Sequence, residues 1–93
     1  MTKFQMMEEI DRREQNAWER MQEYAYNNTP RVSRDQMFEF QQTDPTYQNL
    51  LYEWAAYYEL CETFGIVTKT TPRASKLSFD LYRECEAAES EVK

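Results

Sequence analysis

The chain has 93 residues, 41 % apolar and 15 % aromatic, and a net charge of −6. That length suits one domain around one hydrophobic core, and the apolar and aromatic shares exceed those of a disordered segment, so a single acidic folded domain spanning 1–93 is expected. Without histidine, and with one glycine and two cysteines, the composition excludes the usual neutral-pH general base, a G-x-G-x-x-G or Walker loop, and a tetrahedral zinc site.

Thr2 to Gln5 forms a T-x-x-Q capping box. Met7, Ile10, Ala17, Trp18, Met21 and Ala25 then recur at helical spacing, which predicts a first long helix. It should stop before Asn27-Asn28-Thr29-Pro30, because asparagines favour turns and the residue before a proline is driven out of helical geometry. Ser33 to Gln36 repeats the capping pattern ahead of Met37, Phe38 and Phe40, giving a short second helix that ends near Gln42. Thr43 or Asp44 can cap a third helix with Pro45 in its first turn. Tyr47, Leu50, Leu51, Trp54, Tyr58 and Cys61 carry that helix to Gly65, placed where a left-handed cap belongs.

Beyond Gly65 two patterns compete. Ile66-Val67-Thr68 is β-branched, and Leu77, Phe79 and Leu81 alternate with polar residues, which predicts strands at about 66–70 and 76–82. Ala74, Leu77, Leu81, Cys85 and Ala88 also fit a helix capped by Thr71 with Pro72 in its first turn. The hairpin is preferred. The expected fold is therefore mainly α within an α+β class: three helices, a β-hairpin near 66–82 and a short C-terminal helix.

No stretch approaches the roughly 18 apolar residues of a membrane span, and the charged first twenty residues do not resemble a signal peptide. A cytoplasmic location is expected. Cys61 and Cys85 fall on apolar positions and read as buried reduced thiols. An oxygen-ligand calcium or magnesium site stays open in principle, but no cofactor, metal or catalytic role is expected. Carboxylate pairs such as Glu19 with Glu23 could serve as acid and base, yet a solvated helix face is the simpler account in so short a chain.

Charge carries the functional signal. From Asp35 to Thr68 there are six carboxylates and no lysine or arginine, and Glu84, Glu86, Glu89 and Glu91 follow near the end. Lys69, Arg73 and Lys76 lie between the two stretches. Several acidic pairs sit at the repulsive three- or four-residue spacing: Glu19 with Glu23, Asp35 with Glu39, Glu59 with Glu62, Asp80 with Glu84, and Glu86 with Glu89. In the first helix Glu8 faces Arg12 and Glu9 faces Arg13 at the favourable spacing. Carboxylates in a row approximate the phosphate spacing of a nucleic-acid strand and could enter a basic groove. Solubility alone would also account for a charge of −6.

A short, histidine-free, acidic, aromatic-rich helical chain resembles the small phage-encoded proteins that disarm host enzymes, in particular DNA-mimic anti-restriction proteins such as the Arn family. The likeness covers the whole chain in size, charge and composition, without a signature motif. It implies a viral inhibitor in the host cytoplasm that binds a DNA-binding or DNA-cleaving host protein in place of DNA, with no enzymatic activity and no direct nucleic-acid partner.

The expected partner-binding residues are Asp35, Glu39, Glu53, Glu59, Glu62, Glu84, Glu86 and Glu89, chosen because basic neighbours are scarce around them in sequence. On a helical wheel, Tyr47, Leu51, Trp54, Tyr58 and Cys61 share one side of the third helix, while Tyr52, Ala56 and Leu60 lie opposite. Either the first helix and the hairpin cover both faces, or Tyr52, Ala56 and Leu60 form a homodimer contact. The order of elements also admits a winged-helix-like or helical adaptor for protein assembly, although residues 45–64 lack the lysine and arginine that DNA reading requires.

Overall fold

Local capping chemistry sets the first three helices. In a computed structural model that describes residues 2–91, helix α1 runs Lys3–Asn28, α2 Arg34–Thr43, α3 Pro45–Thr63 and α4 Pro72–Glu91. The box at the start of α1 is closed in both directions: the Thr2 backbone N–H donates to Gln5 Oε1 at 2.8 Å, and the Gln5 N–H donates to Thr2 Oγ1 at 3.1 Å. Ser33 Oγ accepts from the Gln36 N–H at 3.0 Å to open α2. Asp44 caps α3, its Oδ2 accepting from the Tyr47 N–H at 2.9 Å and from the Tyr24 hydroxyl of α1 at 2.7 Å. Gly65 adopts φ 69°, and its N–H and that of Ile66 donate to the carbonyls of Glu62 and Cys61 at 3.2 and 2.8 Å. This is a Schellman ending, whose left-handed residue favours glycine.

The predicted hairpin is absent, and four helices replace the expected three plus a short fourth. Residues 66–70 form no regular element, and no strand occurs among the described residues. The helical alternative for 72–91 is the one adopted. Its inward positions Ala74, Leu81 and Cys85 are buried, whereas Phe79, which the strand pattern would bury with Leu77 and Leu81, is 60 % exposed. Thr71 starts α4: its Oγ1 accepts from the Ala74 N–H at 3.2 Å and its hydroxyl donates to Glu19 Oε1 of α1 at 2.5 Å. The β-branched run serves as a link. It carries the chain from the end of α3 back beside α1, where Thr70 Oγ1 accepts from the Trp18 indole at 3.1 Å.

Both α3 and α4 lie against α1, and α2 bridges their far ends. Contacts of Asp44 with Tyr24, Glu53 with Arg20 and Trp54 with Glu14 show that α3 runs antiparallel to α1. Thr71 with Glu19, Arg73 with Glu23 and Cys85 with the Pro30 carbonyl show that α4 runs parallel to it and continues past its end. The resulting rod measures 58 × 25 × 18 Å, and its radius of gyration of 15.5 Å exceeds the roughly 12 Å expected of a sphere-like domain this long. Met21, Ala25, Met37, Tyr47, Leu81 and Cys85, drawn from all four helices, form the core where they meet.

Replacing Thr71 by alanine should remove the cap of α4 and its bond to α1 together. Urea unfolding followed by circular dichroism should show a loss of about 1–2 kcal/mol through a lower midpoint at unchanged slope.

Candidate partner-binding surface

The entire net charge of the chain maps to one stretch. Residues 35–68 hold six acidic and no basic residues, and the other 59 positions hold eleven of each, so the −6 belongs to α2, α3 and the loop after them.

Tertiary pairing then divides the predicted acidic residues into two groups. Glu53 is bonded to Arg20 of α1. Glu84 meets Arg31 at 3.5 Å, and Glu86 meets Arg34 at 3.5 Å and Arg83 at 3.9 Å. Glu89 is held most firmly, with one oxygen 2.8 Å from the Arg34 side chain and the other 3.0 Å from its backbone N–H. Arg34 also donates to the Tyr82 hydroxyl at 3.1 Å, and these hydrogen bonds raise its already high pKa further. The expected scarcity of cations around these four residues thus fails, because arginines distant in sequence fold onto them. Asp35 and Glu39 on α2, and Glu59 and Glu62 on α3, stay exposed and outside every ion pair found among the described residues.

Other expected repulsions are relieved in the same way. Arg73 lies 3.9 Å from Glu19 and 2.9 Å from Glu23, and Lys76 reaches Asp80 at 2.5 Å, so two of the three cations between the acidic stretches are already occupied. In α1 the pairing shifts by one residue: Glu9 takes both Arg12, at 2.6 Å, and Arg13, at 2.8 Å. Hydrogen bonds from these arginines, Arg12 foremost, hold the Glu9 carboxyl at a pKa of about 2. Glu62 acts on Tyr58 as charge and hydrogen-bond acceptor, which raises the phenol's pKa.

One face of α3 is covered and the other is bare. Tyr47 and Cys61 are buried, and Trp54 packs at a tilt against Trp18 and Tyr58 with ring centroids 4.9 and 5.1 Å away. The opposite face has no hairpin over it: Tyr52 is 68 % and Leu60 41 % exposed, and Ala56 between them is exposed as well. Glu59 lies on this same face, seven residues from Tyr52 and three from Ala56. The structure therefore brings Tyr52, Ala56, Glu59 and Leu60 together, leaves Asp35 and Glu39 on a separate helix, and assigns Glu84, Glu86 and Glu89 to the neutralised α2–α4 contact.

The thiols have no exposed chemistry. Cys61 and Cys85 are free and buried, and burial pushes the pKa of each upward, which disfavours the reactive thiolate. Among the described residues no three acidic or cysteine side chains converge as a metal cluster, and no helix is long and apolar enough to cross a membrane.

A two-fold contact through the bare face would bring Glu59 toward its own copy, so charge opposes self-association there. The chain should sediment as a monomer, and a Tyr52→Glu, Leu60→Glu variant should keep its helical spectrum with stability changed by no more than about 0.5 kcal/mol. A native dimer that this variant dissolves would instead assign the face to a second copy.

No protein-family model, curated protein or solved structure matches the chain.

Proposed function

We propose that the chain is a non-enzymatic inhibitor that binds a DNA-handling protein, occupying a local basic patch in place of nucleic acid through α2 and α3. The observation that carries this reading is the partition of charge: the surplus lies wholly in residues 35–68, and Asp35, Glu39, Glu59 and Glu62 there form no ion pair among the described residues. Field lines from unpaired surface carboxylates extend into solvent and speed encounter with a basic partner.

Magnitude limits the form of the contact. A DNA duplex as long as this 58 Å rod would carry roughly 34 charges at one per 1.7 Å. A net charge of −6 is far below that density, so imitation along a whole groove is disfavoured and a patch-sized contact is favoured. Affinity then has to come from the exposed side chains beside the carboxylates, and Tyr52 is suited to it as an aromatic anchor, with Leu60 adding apolar area on the same face. The same bare face favours a helical adaptor as the second reading. Its winged-helix form is overturned, because the continuous helix α4 stands where a wing would be.

Capture of partners from a bacterial lysate, followed by DNA competition, tests the proposal. The captured protein should be displaced by duplex DNA, and Glu59→Lys with Glu62→Lys should slow association about tenfold at low salt while leaving the fold intact. Simultaneous binding of DNA and this chain to that protein would refute mimicry and favour the adaptor.

A further inference from the structure

Beneath the loop that joins α3 to α4 lies a pocket of about 160 Å³, lined by Glu14, Trp18, Trp54, Thr68, Lys69 and Thr70. Its wall holds a polar anomaly. Glu14 is 4 % exposed; Oε1 accepts from the Trp54 indole at 2.9 Å, and Oε2 is buried with no partner among the described residues. Leaving a buried acceptor unsatisfied is costly, more so when the group is charged, and a cation brought close to it offsets part of that cost.

We propose that this pocket is a binding site for a cationic side-chain end, the ammonium of a lysine or the guanidinium of an arginine presented by a partner protein. The Glu14 carboxylate in the wall attracts a cation through its charge, and the indoles of Trp18 and Trp54 in the same lining add the attraction of their ring quadrupoles. The indoles are fixed for that role, each by its own N–H: Trp18 on Thr70 and Trp54 on Glu14. Surrounding charge has the right sign, since Asp11 and Glu14 both act on the neighbouring Cys61 thiol, and Glu14 and Glu62 on Tyr58. The volume suits the end of one basic side chain and is below that of a drug-sized ligand site. Lys69, exposed in the lining, is the chain's own competing cation.

This site does not depend on the DNA-handling partner proposed above, and its test needs no partner. The chain's two tryptophans both line the pocket, so tryptophan emission reports on it directly. Titration with n-butylguanidinium at constant ionic strength should give a saturable change with a Kd on the order of 1 mM, whereas the neutral isostere n-butylurea should give none. Acetyl-Gly-Arg-Gly-amide should bind at least as well as the free cation. Glu14→Gln, which keeps an acceptor for Trp54, should weaken binding about tenfold, and Lys69→Gln on the exposed rim should strengthen it about threefold. If Glu14→Gln does not fold, the Lys69 variant and the neutral isostere still decide. A flat titration of the native chain, or equal responses to n-butylurea and the cation, overturns the site. Exclusion of the peptide with retention of the free cation overturns its assignment to a partner's side chain.

Discussion

The fold depends on how closely α3 and α4 can approach α1. Ala17, Met21 and Ala25, four residues apart, form a buried stripe on α1, and Cys61 of α3 with Ala74 and Cys85 of α4 are buried too, so that apart from Met21 these side chains are small. Small residues at helix contacts bring backbones together but bury little apolar area each. The larger aromatics therefore remain at the flanks, where Trp18, Trp54 and Tyr24 each bond a polar group on another element through their N–H or O–H. A thin seam of this kind, extended by the offset of α4 along α1, yields a rod.

Arginine completes what the seam leaves open. Arg31 and Arg34, in and beside the turn between α1 and α2, reach across to α4, and Arg31 and Arg34 also lie over the rings of Tyr26 and Tyr82. Each partly exposed pair contributes modestly. Together they cancel the acidity of α4 and leave the surplus on α2 and α3. The electrostatic character of the surface is thus a product of packing, with the balanced side turned toward the helix contacts and the unbalanced side toward solvent.

Glu14 stands apart from this economy. It lies on the α1 face that meets α3, in one pocket lining with Trp18 and Trp54, and one of its oxygens has no partner among the described residues. A hydrophobic residue of similar volume would avoid the desolvation cost at that position. A carboxylate in the lining of that pocket is a cost to stability that the proposed cation site would offset.

The sequence by itself determined where the first three helices begin and where α3 ends, because Thr2, Ser33, Asp44, Pro45 and Gly65 act on backbone groups within a few residues of themselves, whereas α1 runs on through Asn27 and Asn28, past the stop expected before them. It also marked residues 35–68 as acidic and set Tyr52, Ala56 and Leu60 on one side of α3. The segment after Gly65 was ambiguous because Leu77 and Leu81 satisfy both a period of two and a spacing of four. Burial of Ala74, Leu81 and Cys85 among the other helices, a tertiary effect, selected the helix and left Phe79 outside. Tertiary structure alone decided which carboxylates remain free, since the partners of Glu53, Glu84 and Glu89 lie 33, 53 and 55 residues away. No helical spacing rule reaches that far, and the pocket around Glu14 was hidden for the same reason: its walls come from three segments that are neighbours only once α3 and the following loop have folded back along α1.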